Sequence, residues 1–301
     1  MLDYSSLHAI AMIAQTGSFE KAARILNVTP SAISQRVKHL EERLGTVLIV
    51  RGSPCTATPQ GEWLCRHIER VSMLEQDLLS HLPGLADPDG PRRRVTLHVA
   101  TNADSLATWF IKAVSAFSKN SDYLLNIAVD DQDHTAQWLK RGRVLAAVTS
   151  LGKPVQGCHV TPLGSLRYLA TASPDFMRRH FRQGVTLENL ASAPALIFGQ
   201  KDRLQDLWIR QTLQQETDYP THCLPSVESF VEACLSGMGW CMNPEPLVRK
   251  HLQRGELIEL VPETSLDVAL FWQTNRLASE RLTSLTQNIV KEASKVLHHK
   301  I

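Results

Sequence analysis

Apolar residues in the first third of the chain recur at helical spacing, whereas the remainder alternates short apolar runs with helical stripes. Leu7, Ile10, Ala11 and Ala14 make the inner face of a helix predicted from about Ser5 to Gln15, which Gly17 ends. Ser18 can cap a second helix with a small apolar face of Ala22, Ala23 and Leu26, stopped at Asn27, a residue type that tolerates the left-handed conformation. The chain restarts at once. Thr29 is another cap, and Pro30 takes the first helical position, where its missing N–H is no loss. Ile33, Val37, Leu40 and Leu44 then form one stripe, and Gly45 closes the helix. Two short helices broken once, tightly, predict a helix-turn-helix.

Ser31, Gln35 and Lys38 fall on the face opposite that stripe, flanked by Ser34 and Arg36. The N-terminal half of this face carries hydroxyls, an amide and bases but no acid; Glu41 and Glu42 come only in the last turn. A helix dipole prefers the reverse order, so local stability does not account for the arrangement. Contact with DNA does: a recognition helix enters the major groove by its N-terminal residues, where Gln reads adenine, Ser reaches either base edge, and Arg and Lys take guanine or phosphate. The plain alternative is a solvated outer face. Caps, break and charge order agree on the groove reader.

Val47 to Val50 predicts a short strand, Arg51 to Pro54 a turn, and Cys55 to Thr58 a second strand, together a two-stranded wing. Arg51 stands beside the turn, where it either reaches phosphate or a minor groove or is merely solvated. Thr58 and Pro59 repeat the cap-then-proline device and start a helix lasting to about Leu82. Leu64, Val71 and Leu78 are seven apart, with Ile68 and Leu82 in d-like positions and Glu75 as the one break. A stripe on a helix of roughly 24 residues, ~36 Å long, exceeds what the small preceding domain can cover, which predicts pairing with a second copy through Leu64, Ile68, Val71 and Leu78, the alternative being packing against the same chain. Prolines and glycines at 83–91 mark a hinge. The expected organisation is therefore a winged helix-turn-helix at 1–58, a linker helix at 59–82, the hinge, and an α/β domain at 92–301.

From Val95 strands alternate with helices. Strands are predicted at 95–101, 123–129 and 144–149, then near 166–171, 195–198, 222–224, 239–242 and 268–272. Helices are predicted through Leu106, Trp109, Phe110, Ala113, Val114 and Phe117, before Gly142, near 203–215 and 229–236, and from about Ser279. The alternation predicts two parallel-sheet lobes, with ligands held outside the carboxyl ends of the strands.

At 301 residues, 43% hydrophobic and 21% charged, the composition is that of a globular protein of about two domains. A net charge of +2 does not point to nucleic acid; the recognition face does. No apolar run approaches the ~20 residues that span a bilayer, and Met1-Leu2-Asp3 lacks the start of a signal peptide, so a cytoplasmic protein without a membrane partner is expected. The six cysteines show neither a C-x-x-C pair nor zinc-finger spacing; they read as buried small hydrophobes, the alternative being a redox pair such as Cys223 with Cys234. No catalytic or metal-binding residues are expected. G-x-S-x-G, H-E-x-x-H and P-loop motifs are absent, and Gly237-Met-Gly239 lacks the third glycine of a dinucleotide fingerprint. An amide or ester hydrolase built on acidic turns beside serines is the rival class, and it has no use for a groove reader and a pairing helix.

The segments SFEKAARILNVTPSAISQRVKHLEERLG, LIVR followed by T-x-x-G at Thr58 to Gly61, and VEACLSGMGWCMNP make the whole chain resemble the LysR-type transcriptional regulators. Within that family, NADSLATW, VDDQD, KDRLQ and VESFV are similar to the ArgP/LysG branch, whose members sense basic amino acids and activate exporter genes. The sequence departs from the branch at Gly199 and Asp130. The resemblance implies an effector domain like a type 2 periplasmic binding protein, a homodimer or homotetramer, double-stranded operator DNA and RNA polymerase as partners, and work on the nucleoid of a bacterial cytoplasm. No cofactor is implied beyond a small effector, L-arginine or L-lysine; a non-basic or redox effector is the alternative.

The residues themselves fit such an effector. Ser105 and Ser229 stand at predicted helix starts, where free N–H groups and the dipole can hold a carboxylate. Asn102, Asp104, Asp131, Asp202 and Glu228 occupy loops at strand ends, and the acids among them could hold an ammonium or guanidinium group. Equally, Asp104 and Glu228 could be helix-start acids serving the dipole.

Overall fold

The computed structural model describes residues 2–82, 95–130 and 135–298, which form two compact units, Met1–Val95 and Thr96–Ile301. The predicted hinge at 83–91 lies outside the described residues.

The first unit contains α1 (Tyr4–Thr16), α2 (Phe19–Ile25), α3 (Pro30–Leu44), a wing of β1 (Ile49–Val50) and β2 (Thr56–Ala57), and α4 (Pro59–His81). Side chains cap the helices where the sequence places them: Asp3 for α1, Ser18 for α2, Thr29 for α3 and Thr58 for α4. Gly17 and Gly45 end α1 and α3 in the left-handed conformation, and Asn27 turns the chain between α2 and α3 at φ 53°. Leu7, Ile10, Ile13, Ala22, Ala23, Ile33, Val37, Leu40 and Leu48 close one core. Leu44, expected on the stripe, is instead 49% exposed.

Contacts of the wing explain the T-x-x-G segment. The Thr58 hydroxyl donates to the Val47 carbonyl at 2.8 Å, and its oxygen accepts from the Gly61 N–H at 3.1 Å. A Cβ at Gly61 would stand 2.2 Å from the Leu48 carbonyl oxygen, so only glycine lets the helix backbone lie against the wing. Glu41, read from sequence as an acid at the end of α3, accepts from the Leu48 and Ile49 N–H groups at 2.7 and 3.2 Å and thereby ties α3 to β1.

In the second unit the elements are β3 (Thr96–Asn102), α5 (Ala103–Ser105), a π-helical turn (Leu106–Phe110) running into α6 (Ile111–Ser118), β4 (Leu124–Asp130), α7 (Thr135–Lys140), β5 (Ala146–Thr149), β6 (Cys158–Ala172), α8 (Pro174–His180), α9 (Leu187–Leu190), β7 (Ala195–Ile197), α10 (Leu204–Leu213), β8 (Thr221–Cys223), α11 (Val227–Leu235), β9 (Cys241–Pro244), α12 (Glu245–Gln253), β10 (Ile258–Glu259), β11 (Leu266–Asn275) and α13 (Thr283–Ala293). In the first lobe, β3 pairs in parallel with both β4 and β5. In the second, β7 pairs in parallel with β8, and the Leu196 N–H donates to the Trp240 carbonyl just ahead of β9.

Two long strands join the lobes and were not foreseen at that length. β6 and β11 run antiparallel from Cys158 opposite Asn275 to Tyr168 opposite Leu266, then β6 continues against β9 and β10. The sheet is therefore mixed rather than parallel. The first half of β6 carries Pro162 and Gly164, which break a strand pattern in sequence; the register shift between Leu270 and Phe271 accommodates them as a bulge. Trp109, Phe110 and Trp272 fill the first lobe and Trp208 and Trp240 the second, all fully buried.

Candidate functional site

The α3 face forms as the sequence predicts. Ser31, Gln35 and Lys38 are exposed, Ser34 and Arg36 half-buried at the flanks. Thr29 accepts from the Ala32 N–H at 3.2 Å and stands 3.0 Å from the Ser31 hydroxyl, fixing the first turn. No acid lies in that turn. Lys38 approaches Glu42 at 3.7 Å, but both are well exposed, so the pair is weak and leaves the ammonium able to reach a phosphate. The Arg51 guanidinium lies over the Phe19 ring, 5.1 Å from its centroid. This face offers hydroxyl, amide and cationic groups of the kinds that pair with base edges and phosphates.

Of the four residues expected to pair α4 with a second copy, Ile68 is 4% exposed because it packs into the core of its own unit, and Leu64 packs partly against the same core. Those two are thus satisfied within the chain. Val71 is half-buried, and the exposed apolar surface of the helix is Trp63, Leu74 and Leu78.

In the second unit a cleft of about 110 Å³ opens where strands end. Asn102 and Asp130, the last residues of neighbouring β3 and β4, sit opposite each other in register. Asp104 follows on α5. Across from them stand Asp202 and Arg203 on the loop after β7, Phe230 on α11, and Met242 and Asn243 on β9. Three carboxylates therefore face one guanidinium, and Arg203 is already paired with Asp206 at 3.2 Å.

Each carboxylate is held. The Tyr168 hydroxyl donates to Asp104 at 2.7 Å, and the Trp138 N–H to Asp130 at 2.9 Å. Asp202 accepts from the Phe198 and Leu204 N–H groups at 3.0 and 3.1 Å. Burial pushes its carboxyl above the usual range, and those N–H groups only partly offset the effect.

Asn102, Asp104 and Asp202 thus reach the cleft, while three other expected residues do not. Ser105 is fully buried and absent from the lining. Glu228 and Ser229 are exposed on the first turn of α11, where Ser226 is the actual cap and accepts the Ser229 N–H. The helix starts two residues earlier than the sequence suggested, with Ser226 rather than Ser229 as its cap. Asp131 lies outside the described residues; its neighbour Asp130 supplies the acid. Asn243, Phe198, Phe230 and Met242 were missed, because within apolar runs they read as core. All six cysteines are free. Cys234 is buried and bonds to Thr171, whereas Cys223 is exposed, so the pair considered from sequence does not form. Among the described residues no cluster could hold a metal, and no helix is long and apolar enough to cross a membrane.

Comparison with known proteins gives a concordant answer. Residues 4–62 match the bacterial regulatory helix-turn-helix protein, lysR family, and residues 89–294 the LysR substrate binding domain. The HTH-type transcriptional regulator LysG of Mycobacterium bovis is 40% identical over 293 residues, covering 97% of this chain and 94% of its own. The C-terminal domains of a LysR family protein from Agrobacterium tumefaciens are 64% identical over 69% of this chain and all of that one, with a TM-score of 0.67. Full-length LysG from Corynebacterium glutamicum, solved with bound effector Arg, is 34% identical over 99% of this chain and 100% of that one, with a TM-score of 0.68. With a winged helix-turn-helix, a linker helix and a two-lobed α/β domain matched end to end, the chain belongs to the LysR family of DNA-binding transcriptional regulators.

Proposed function

We propose that the cleft binds a basic amino acid, L-arginine or L-lysine, and that its occupancy controls how the N-terminal domain acts at an operator, with an amino-acid exporter or a related metabolic gene as the target. The observation that carries this is the acidic lining: among the described residues, Asp104, Asp130 and Asp202 line one cleft with one arginine, Arg203, which is paired with Asp206. A cationic ligand relieves the mutual repulsion of three carboxylates, whereas an acidic one would add to it. The arginine bound in the similar Corynebacterium glutamicum protein supports the same reading. The exposed Trp63, Leu74 and Leu78 on α4 support a homodimer built along that helix, which two half-sites of a duplex would require, with a dimer of dimers as the next level. Such a regulator works in the cytoplasm, where the chromosome is.

Calorimetry of the full chain with arginine, lysine, glutamate and leucine tests the effector. Arginine or lysine should bind, and Asp104→Asn should lose about 2–5 kcal/mol, a factor of 30 or more, because a desolvated charge is left without its partner. Binding of glutamate or leucine, and of neither basic amino acid, would overturn the proposal.

A further inference from the structure

Asn243 is fully buried, yet it belongs to the wall of the cleft. Its position follows from the register of β9 on β6. Asn243 lies opposite Leu169, and Cys241 opposite Thr171, so alternation along β9 puts Asn243 and Cys241 on one face. Both hydrogens of the Asn243 amide are used there: Nδ2 donates to the Thr171 hydroxyl oxygen at 2.9 Å and to the Cys241 sulfur at 3.1 Å. The carbonyl oxygen Oδ1 is buried without a hydrogen-bond partner. A native protein seldom leaves a buried amide oxygen so, since the desolvation it suffers is not repaid by any donor.

The amide cannot easily reverse. Turned over, Oδ1 could accept from the Thr171 hydroxyl, but both amide N–H groups would then be buried without an acceptor, which costs more than one unpartnered oxygen. The Cys234 thiol donates to the Thr171 carbonyl at 3.3 Å, so Thr171 is itself held in place. The same strand, β6, carries Tyr168, whose hydroxyl holds Asp104 on the other side of the cleft.

We infer that Asn243 is a specificity-determining residue of the cleft, its Oδ1 fixed by Thr171 and Cys241 as an acceptor for an N–H of the bound cation. This rests on reading the cleft as a basic amino-acid site and adds to it a neutral acceptor that the three carboxylates do not supply. It gives the cleft a directional preference for a ligand nitrogen that carries hydrogens, at a place where an oxygen or a methyl group would leave Oδ1 still unpartnered.

The test is calorimetry on the full chain with L-arginine and L-lysine, comparing the native protein with Asn243→Leu and Asn243→Asp, each checked by thermal melting. Asn243→Leu should weaken the better-bound ligand at least about tenfold, as loss of a hydrogen bond to a charged group does. Asn243→Asp, which keeps an acceptor oxygen and no donor, should stay within about threefold of native or bind more tightly. Native-like binding by Asn243→Leu overturns the inference while leaving the basic-effector reading intact. Loss in Asn243→Asp as large as in Asn243→Leu also overturns it, since that is the result expected if the amide N–H₂ faced a ligand carboxylate. Should Asn243→Leu fail to fold, Asn243→Asp decides alone. Failure of the native chain to bind either amino acid removes both this inference and the reading beneath it.

Discussion

Single side chains decide the chemistry at both ends of this protein. On α3, Gln35 and Arg36 are neighbours in sequence with different exposures, and they should separate in their effects. Gln35→Ala should relax preference at one base pair at about 1–3 kcal/mol, and Arg36→Ala should weaken binding to every sequence. Gel shifts across an operator library would show the two patterns; equal, sequence-blind losses for both would place the groove contact elsewhere. In the cleft, Asp202 should set a pH dependence of cation binding. Its carboxyl is raised mainly by burial, and only the ionised form attracts a cation. Arginine affinity should therefore fall across an acidic titration, beginning at a higher pH than an ordinary aspartate would give. The linkage to folding has the opposite sign: a raised carboxyl contributes stability at low pH that is lost as pH rises through its folded value. A flat affinity over that range would count against Asp202 as a ligand contact. Asp104 and Asp202 stand out in the sequence because they follow apolar runs as acids, and both line the cleft. Asn243 does not stand out, because an asparagine between Met242 and Pro244 inside an apolar strand gives no hint that its oxygen lacks a donor.

Among the elements, the caps were the most legible feature, since Ser18, Thr29 and Thr58 act through local hydrogen bonds that need no tertiary knowledge. The start of α11 was less so: Ser226 and Ser229 are both competent caps, and only packing chooses between them. The junction of wing and linker helix shows what such local signals cannot convey. Gly61 reads as a weak point early in α4, and helix propensity alone would favour alanine there by about 1 kcal/mol. The approach to Leu48 reverses the sign. With a Cβ 2.2 Å from a carbonyl oxygen the wing must move, so Gly61→Ala should destabilise the first unit by about 1–3 kcal/mol. Chemical denaturation followed through Trp63 would measure it, and a stabilised variant would mean the wing yields freely.

For the whole molecule, the two-domain plan shows in the change of periodicity along the chain, but periodicity cannot tell which apolar positions of α4 the chain keeps for itself. Heptad spacing treats Ile68 and Leu78 alike; the core of the first unit claims Ile68 and leaves Leu78 52% exposed. Leu78→Asp should therefore separate the protomers with little effect on folding, whereas Ile68→Asp should unfold the first unit by placing an unpaired charge in its core. Sedimentation and melting on the two variants would distinguish them. A Leu78→Asp protein that still sediments as a dimer would locate the seam off this helix.

The bulge shared by β6 and β11 has a mechanical meaning. At that point Gly164 takes a φ of 118°, and a Cβ there would stand 2.8 Å from the His298 carbonyl oxygen. His298 exchanges backbone hydrogen bonds with Ser165 at 2.8 and 2.9 Å, and its ring meets the Glu245 carboxylate at 3.0 Å. The crossing strands β6 and β11 are thus the joint between the two lobes, and His298 braces it at the bend. The two lobes therefore share one joint, whose stiffness should depend on Gly164, Ser165 and His298, residues outside the lining of the cleft.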